Sequence, residues 1–327
     1  MKKEDLKIIF MGTPEFAVET LDALVTNGYQ VVAVVTQPDK PVGRHGSVLQ
    51  APPVKQYALD HGIPVLQPVK MKDEAFLSEL RSYGANLQVV VAFRMLPEVV
   101  WAMPSLGTFN VHAALLPQYR GAAPINWAVI EGETATGVTT FFLDHDIDTG
   151  RIILQEPFAI PDEADVEYVY DGLMRLGAGL CLKTLDKIVE SGGQPPSIAQ
   201  DELVTRLDGE LHHAPKLFKE TCLINWQQPQ KRIYDFVRGL SPYPGAWTTL
   251  HTPDGKQAVL KIYKTAKTSR PADGLQPGEL VVKRRQLYVA TADGLLQLVE
   301  LQLAGKKRMT ADSFVNGMKG LDASRVE

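Results

Sequence analysis

Asn110 and His112 place an amide and an imidazole two residues apart, ahead of Leu116-Pro117 and Arg120-Gly121. On a strand that spacing turns both side chains to one side, with Phe109 and Val111 facing the other. An amide N–H is a donor for a developing oxyanion, and an imidazole donates or accepts near neutral pH. By itself the pair also fits two polar residues capping a strand end. Downstream, Asp144, Asp146 and Asp148 surround His145 and lead into Thr149-Gly150. A carboxylate from this run would orient His112, as in other amide–His–carboxylate groupings. The three acids share a face if extended, so spacing leaves the choice among them open. With no further His or Cys cluster the pattern is weak for a metal, and no metal is expected.

The elements that must position these residues alternate strand and helix. Leu6–Phe10 is an apolar run ending at Gly12, and Thr13-Pro14 reads as an N-cap with proline at the first helical position of a helix to about Asn27. Apolar runs at Val31–Val35, Pro64–Leu66 and Leu87–Ala92 alternate with helical patterns at Val54–Asp60 and Glu74–Arg81. Uninterrupted apolar strands separated by helices indicate a mostly parallel sheet covered on both faces, an open, doubly wound α/β domain. Asn110 and His112 then lie at the C-terminal end of a strand, where such sheets bind ligands. The first turn, Met11-Gly-Thr-Pro-Glu-Phe16, has one glycine where a dinucleotide fingerprint needs three, so a nicotinamide enzyme is disfavoured.

Strands at Val138–Leu143 and Ile152–Phe158 and a helix over about Val166–Val189 close this domain. Breakers in Ser191–Pro196 open a linker at about 190–210, dividing 1–205 from 206–327. Short β-rich runs at 247–251, 258–263, 278–282, 286–291 and 295–301 follow, with turns at Asp254-Gly255 and Asp293-Gly294. Five short strands fit a small β-barrel of the oligonucleotide-binding kind. Trp226, Trp247, Tyr243, Met11 and Met95 read as packing residues.

With 327 residues, 45% hydrophobic and 22% charged, the chain is long enough for two cores and outside the disordered and disulfide-stapled classes. No apolar run is long enough to span a bilayer, and the start reads as a strand rather than a signal peptide. Cys181 and Cys222 stand far apart, which fits a reduced, cytoplasmic protein. The net charge of −4 conceals a split: residues 1–205 hold 15 Lys+Arg against 26 Asp+Glu, and residues 206–327 hold 19 against 12. The second part is therefore net positive by seven, a moderate pointer to a polyanionic partner.

Taken together, IIFMGTPEFAV, TQPDKPVGR at 36–44, NVHAALLPQYRGAAPINW at 110–127 and DTG at 148–150 closely resemble the 10-formyltetrahydrofolate-dependent formyltransferases, in the branch that acts on methionyl-tRNA. APKL at 214–217, INW at 224–226, PYPGAWT at 242–248 and LQLAGKKRM at 301–309 carry the resemblance through nearly the whole chain. It implies formyl transfer from 10-formyltetrahydrofolate to the α-amine of methionyl initiator tRNA. It further implies a catalytic trio of Asn110, His112 and Asp148. Asn110 would donate to the developing oxyanion, His112 would act as imidazolium or general base, and Asp148 would hold the ring.

The resemblance also assigns folate contacts to Ala114, Leu115, Leu116 and Pro117, with alanine at 114 where the family has serine. Phe93, Arg94 and Leu96 correspond to its pterin-contacting segment, here one residue shorter. Lys40 and Arg44 match a tRNA-contacting loop in which His45, Gly46 and Ser47 replace commonly basic positions. Lys306, Lys307 and Arg308 are expected to meet tRNA phosphates, with Lys283-Arg284-Arg285 as a second basic triplet. A monomer is expected. The alternatives are a formyltransferase for a sugar nucleotide or purine precursor, and a non-catalytic RNA-binding protein.

Overall fold

The computed structural model describes residues 1–42, 48–205, 209–318 and 320–327. It divides into two compact units: Met1–Gly121, Thr136–Ala159 and Tyr170–His213 form the first, and Ala122–Ala135, Ile160–Val169 and Ala214–Glu327 the second. The second unit thus includes two stretches that precede residue 205 in the chain.

The chain begins with β1 (Lys7–Gly12), α1 (Glu15–Thr26), β2 (Gln30–Val35) and a short hairpin of β3 (Lys40–Val42) and β4 (Val48–Gln50). There follow α2 (Pro53–Asp60), β5 (Val65–Leu66), α3 (Glu74–Ser82), β6 (Leu87–Val91), α4 (Glu98–Trp101), β7 (Thr108–His112) and β8 (Arg120–Gly121). Next come α5 (Pro124–Ile130), β9 (Ala135–Phe142), β10 (Ile152–Ala159), α6 (Val166–Glu190), α7 (Gln200–Val204) and β11 (His213–Ala214). The main sheet runs β10-β9-β7-β6-β1-β2-β5. Its β5, β2, β1, β6 and β7 are mutually parallel, while β9 runs antiparallel to β7, pairing His112 with Thr139. Strand order reverses between β1 and β6, so β6 and β7 carry their C-terminal ends to the edge where a doubly wound sheet binds ligands.

Gly12 is not in a left-handed turn. A Cβ there would lie 2.6 Å from the Ala17 Cβ and 2.9 Å from the Val91 carbonyl, so glycine lets β1, α1 and β6 approach closely. The expected Thr13 cap does not form. Helix α1 starts at Glu15, the Thr13 hydroxyl is buried without a partner, and the free amide of Phe16 is satisfied by the Tyr170 hydroxyl at 3.0 Å.

The second unit adds α8 (Gln230–Leu240), β12 (Ala246–His251), β13 (Gln257–Ala266), β14 (Leu280–Lys283), β15 (Gln286–Ala290), β16 (Leu295–Leu303), β17 (Met309–Thr310), α9 (Ala311–Gly317) and β18 (Arg325–Val326). Seven antiparallel strands replace the expected five, in the order β14-β15-β16-β13-β12-β18 with β17 on β16. The ends of this sheet meet where Val326 donates to the Gly278 carbonyl at 2.8 Å and Glu279 bridges Arg325. Ile233, Val237 and Leu240 of α8 fill the core with Leu260, Ile262, Leu298 and Ile130 of α5. Trp226 is buried and donates to the Thr248 hydroxyl at 3.0 Å. Two packing assignments are corrected: Tyr243 is 82% and Met95 73% exposed, whereas Met11 is fully buried. Large apolar side chains at loop tips need not be covered.

Candidate active site

Strand β7 projects Asn110 and His112 to one side, while Phe109 and Val111 are buried on the other, with Val111 toward α6. His112 is 6% exposed. Its Nε2 lies 3.1 Å from the Tyr119 carbonyl, an acceptor only, so this nitrogen carries the hydrogen. Its Nδ1 faces Asp148 Oδ2 at 3.9 Å, too long for a hydrogen bond. Both ring nitrogens therefore face acceptors, and only a doubly protonated ring donates toward the two together. Asn110 makes no side-chain hydrogen bond among the described residues, and its Oδ1 is buried without a partner.

Structure separates the three acids that spacing could not. Asp144 and Asp146 are exposed, and His145 sits in solvent 3.8 Å from Glu98. Asp148 alone turns inward, from a left-handed backbone conformation at φ 55°, and its Oδ2 accepts the Gly121 amide at 3.0 Å. A Cβ at Gly150 would lie 1.7 Å from the Phe142 carbonyl, so only glycine lets this turn close against the end of β9. Tyr119 at φ 58° and Ala92 at φ 47° are the other non-glycine residues of the first unit with positive φ among those described. Such strain costs on the order of 1–3 kcal/mol each and persists where the surroundings enforce it. All three positions lie in connections leaving β6, β7 and β9.

The turn after β7 is held through its main chain. The Thr139 hydroxyl donates to the Ala114 carbonyl at 2.6 Å and accepts the Leu116 amide at 3.1 Å. Gln155 Nε2 donates to the Leu116 carbonyl at 2.7 Å. Ala114, Leu116 and Pro117 are buried, with Leu116 packed on Phe141 and Ile152, and Leu115 is half-buried beside Gly137. Beyond β6, Leu96 joins the core and Phe93 is half-buried. Arg94 bends away to donate to the carbonyls of Pro68 and Val69, its Nε buried without a partner, and burial pulls the guanidinium below its usual range.

One residue that spacing did not single out completes the arrangement. Gln200, 2% exposed, accepts two hydrogen bonds from Arg120 and donates to the carbonyls of Asp148 and Gly150. Gln200 stands in the segment read as linker and reaches the site only because the chain returns there. Among the described residues no group of three or more His, Cys, Asp or Glu is placed to hold a metal, and no helix is long and apolar enough to cross a membrane.

Of the basic residues, Lys40 is exposed on its hairpin, whose base is fixed by Asp39 accepting from Gln67 and Lys55, contacts that hold its carboxyl below the usual range. Arg44 lies outside the described residues. Lys306 and Lys307 are exposed in the second unit, and Arg308 is paired with Glu300 at 2.8 Å over the Tyr263 ring.

The formyl transferase model matches residues 6–185, and the model of its C-terminal domain matches residues 216–319. A methionyl-tRNA formyltransferase of Parabacteroides distasonis is 61% identical over 321 residues, 98% of both chains. The chain belongs to the methionyl-tRNA formyltransferase family. A Bacteroides fragilis member is 56% identical over 100% of this chain and 99% of its own. Among solved structures, an N-formyltransferase from Helicobacter canadensis, in complex with folinic acid and dTDP-3-aminofucose, aligns at TM-score 0.61 and 18% identity, covering 92% of this chain and 100% of that one. That likeness extends to the fold, a doubly wound α/β unit followed by further structure.

Proposed function

We propose that the chain transfers a formyl group from 10-formyltetrahydrofolate to the α-amine of methionyl initiator tRNA, giving N-formylmethionyl-tRNA for translation initiation. The observation that carries this reading is the 61% identity over 98% of both chains to a relative of that name. The site's chemistry fits it. An uncommitted Asn110 amide beside a buried imidazole, with a carboxylate behind the ring, suits charge developing on an acyl oxygen.

The family's formyl donor would be held along the main chain of 114–117 and beside the end of β6. Alanine at 114 is compatible with such a role, because its side chain is fully buried and the segment's polar atoms are main-chain groups. This donor supplies the activated formyl carbon; the protein supplies orientation and charge. Asn110 donates to the formyl oxygen as negative charge grows there. The attacking group is the neutral amine, a useful fraction of an α-amino group of pKa ~7.7–8.0 near neutral pH. The Tyr119 carbonyl against Nε2 supports the electrostatic role for His112, since a nitrogen whose hydrogen already points at an acceptor offers no lone pair to the amine. Asp148 holds the ring from the Nδ1 side.

Division of labour follows the charge: 1–205 carries the chemistry and the net-positive 206–327 meets tRNA phosphates through Lys306, Lys307 and Arg308, with Lys40 and Arg44 contributing from the first part. The protein acts as a cytoplasmic monomer. Transfer of labelled formyl to charged initiator tRNA, run beside an amino-sugar nucleotide, tests the reading. Label on the tRNA alone is expected; label on the sugar nucleotide alone would overturn it.

A further inference from the structure

We infer that Gln200 is a positioning residue for catalysis, which sets Asp148 against His112 by clamping the Asp148–Gly150 turn to Arg120. The inference rests on the reading of Asp148 as the group that acts on His112. Gln200 opens α7, a five-residue helix within the segment that composition marks as linker, yet it is 2% exposed. Its Nε2 donates to the Asp148 carbonyl and to the Gly150 carbonyl, each at 2.9 Å. Its Oε1 accepts from Arg120 Nε at 3.0 Å and Arg120 Nη2 at 2.7 Å.

These partners define the amide's orientation. Turned over, it would put NH₂ against a guanidinium and oxygen against two carbonyls, four mismatched contacts. Neither glutamate nor lysine can replace it, because the site asks one planar group to accept on one side and donate on the other. The chain immediately before Arg120 is tied to the same return segment: Tyr119 donates to the His212 carbonyl at 2.7 Å and Gln118 Nε2 to the Glu210 carbonyl at 3.1 Å.

The clamp matters because the Asp148 turn is held in a conformation that non-glycine residues avoid, at φ 55°. Something must oppose its relaxation, and the two carbonyl bonds from Gln200 act on the backbone of that turn. Asp148 Oδ2 is held separately, by the Gly121 amide next to Arg120. Gln200 therefore joins the two segments whose separation sets how far the carboxylate stands from the imidazole. It touches neither reacting group, and its effect passes through Asp148.

The experiment is a double-mutant cycle on formyl transfer, with kcat and both KM values measured for Gln200→Leu, Asp148→Asn and the double variant. Gln200→Leu is expected to lower kcat by about 10–100-fold, the range typical of misplaced catalytic groups, while both KM values stay within about twofold. In the Asp148→Asn background the same change is expected to cost less than about twofold, because its effect is already lost. Equal losses in the two backgrounds would mean that Gln200 acts elsewhere and would overturn the inference. Unchanged kcat in Gln200→Leu would overturn it as well. Wild-type kcat in Asp148→Asn would remove the underlying reading, and the inference with it. Should Gln200→Leu not fold, Gln200→Glu keeps the Arg120 contact, loses the donors to the turn, and is read in the same cycle.

Discussion

Replacing Asn110 with alanine should make the protein more stable and nearly inactive. Its amide forms no side-chain hydrogen bond among the described residues, and Oδ1 is buried without a partner. An unsatisfied buried acceptor costs roughly 1–3 kcal/mol, and Asn110→Ala removes it. The side chain is only half-buried, so the cavity left behind is small and offsets part of this gain. A net gain of about 1 kcal/mol corresponds to a rise of roughly 2–4 °C in Tm for a unit of this size. The same change removes one donor to a developing oxyanion, worth ~2.7–4 kcal/mol, or about 10²–10³ in kcat. Calorimetry together with steady-state formylation reads both effects on one preparation. A Tm several degrees below wild type would show that the amide is committed to the fold, and a kcat within tenfold of wild type would show that it is not the oxyanion donor; either would refute the reasoning.

Other outcomes follow from the same geometry. Asp148→Asn should lower kcat of formyl transfer, because it removes the charge 3.9 Å from His112 Nδ1; an unchanged kcat would contradict the coupling. Reversing charge at Lys306 and Lys307 should raise the tRNA KM and flatten its dependence on salt, with the folate KM unchanged. The effect of Arg308→Glu should be mixed with lost structure, since Arg308 is already paired with Glu300 over Tyr263. Arg238→Ala should destabilise the second unit by about 1.5–3 kcal/mol, because the buried Asp235 loses the partner 2.8 Å from Oδ1 while keeping Lys231 on Oδ2, visible in chemical denaturation.

Much of the first unit is legible because its strands are buried on both faces. Ile8–Met11 is an unbroken apolar run, Leu87–Val91 is apolar but for the buried Gln88, and β9 turning antiparallel does not alter that pattern. Period-two alternation also places Asn110 beside His112 without a structure. Asp148 is different: Asp144 and Asp146 have the same spacing pattern, and only the positive-φ turn and the Gly121 amide distinguish it. Gln200 gives no local signal, since its three partner residues lie some 50 to 80 residues earlier. In the second unit the hairpin at Lys283–Gln286 escapes the usual turn signals. Arg284 and Arg285 adopt φ 52° and 68°, a conformation normally given to Asn-Gly, and hold two guanidinium groups at an exposed tip. Tyr243 and Met95 mislead for the opposite reason, since apolar character is permissive of burial without requiring it.

The central claim is that β7 and the turn at Asp148 assemble a formyl-transfer site, and labelled formyl transfer to methionyl-tRNA by wild type and His112→Ala tests it most directly. Wild-type protein should label methionyl-tRNA with 10-formyltetrahydrofolate as donor, and His112→Ala should lose at least about 10² of that rate, within the range typical of a positioned catalytic group. Equal rates in the two proteins, or no label on methionyl-tRNA with wild type, would contradict it.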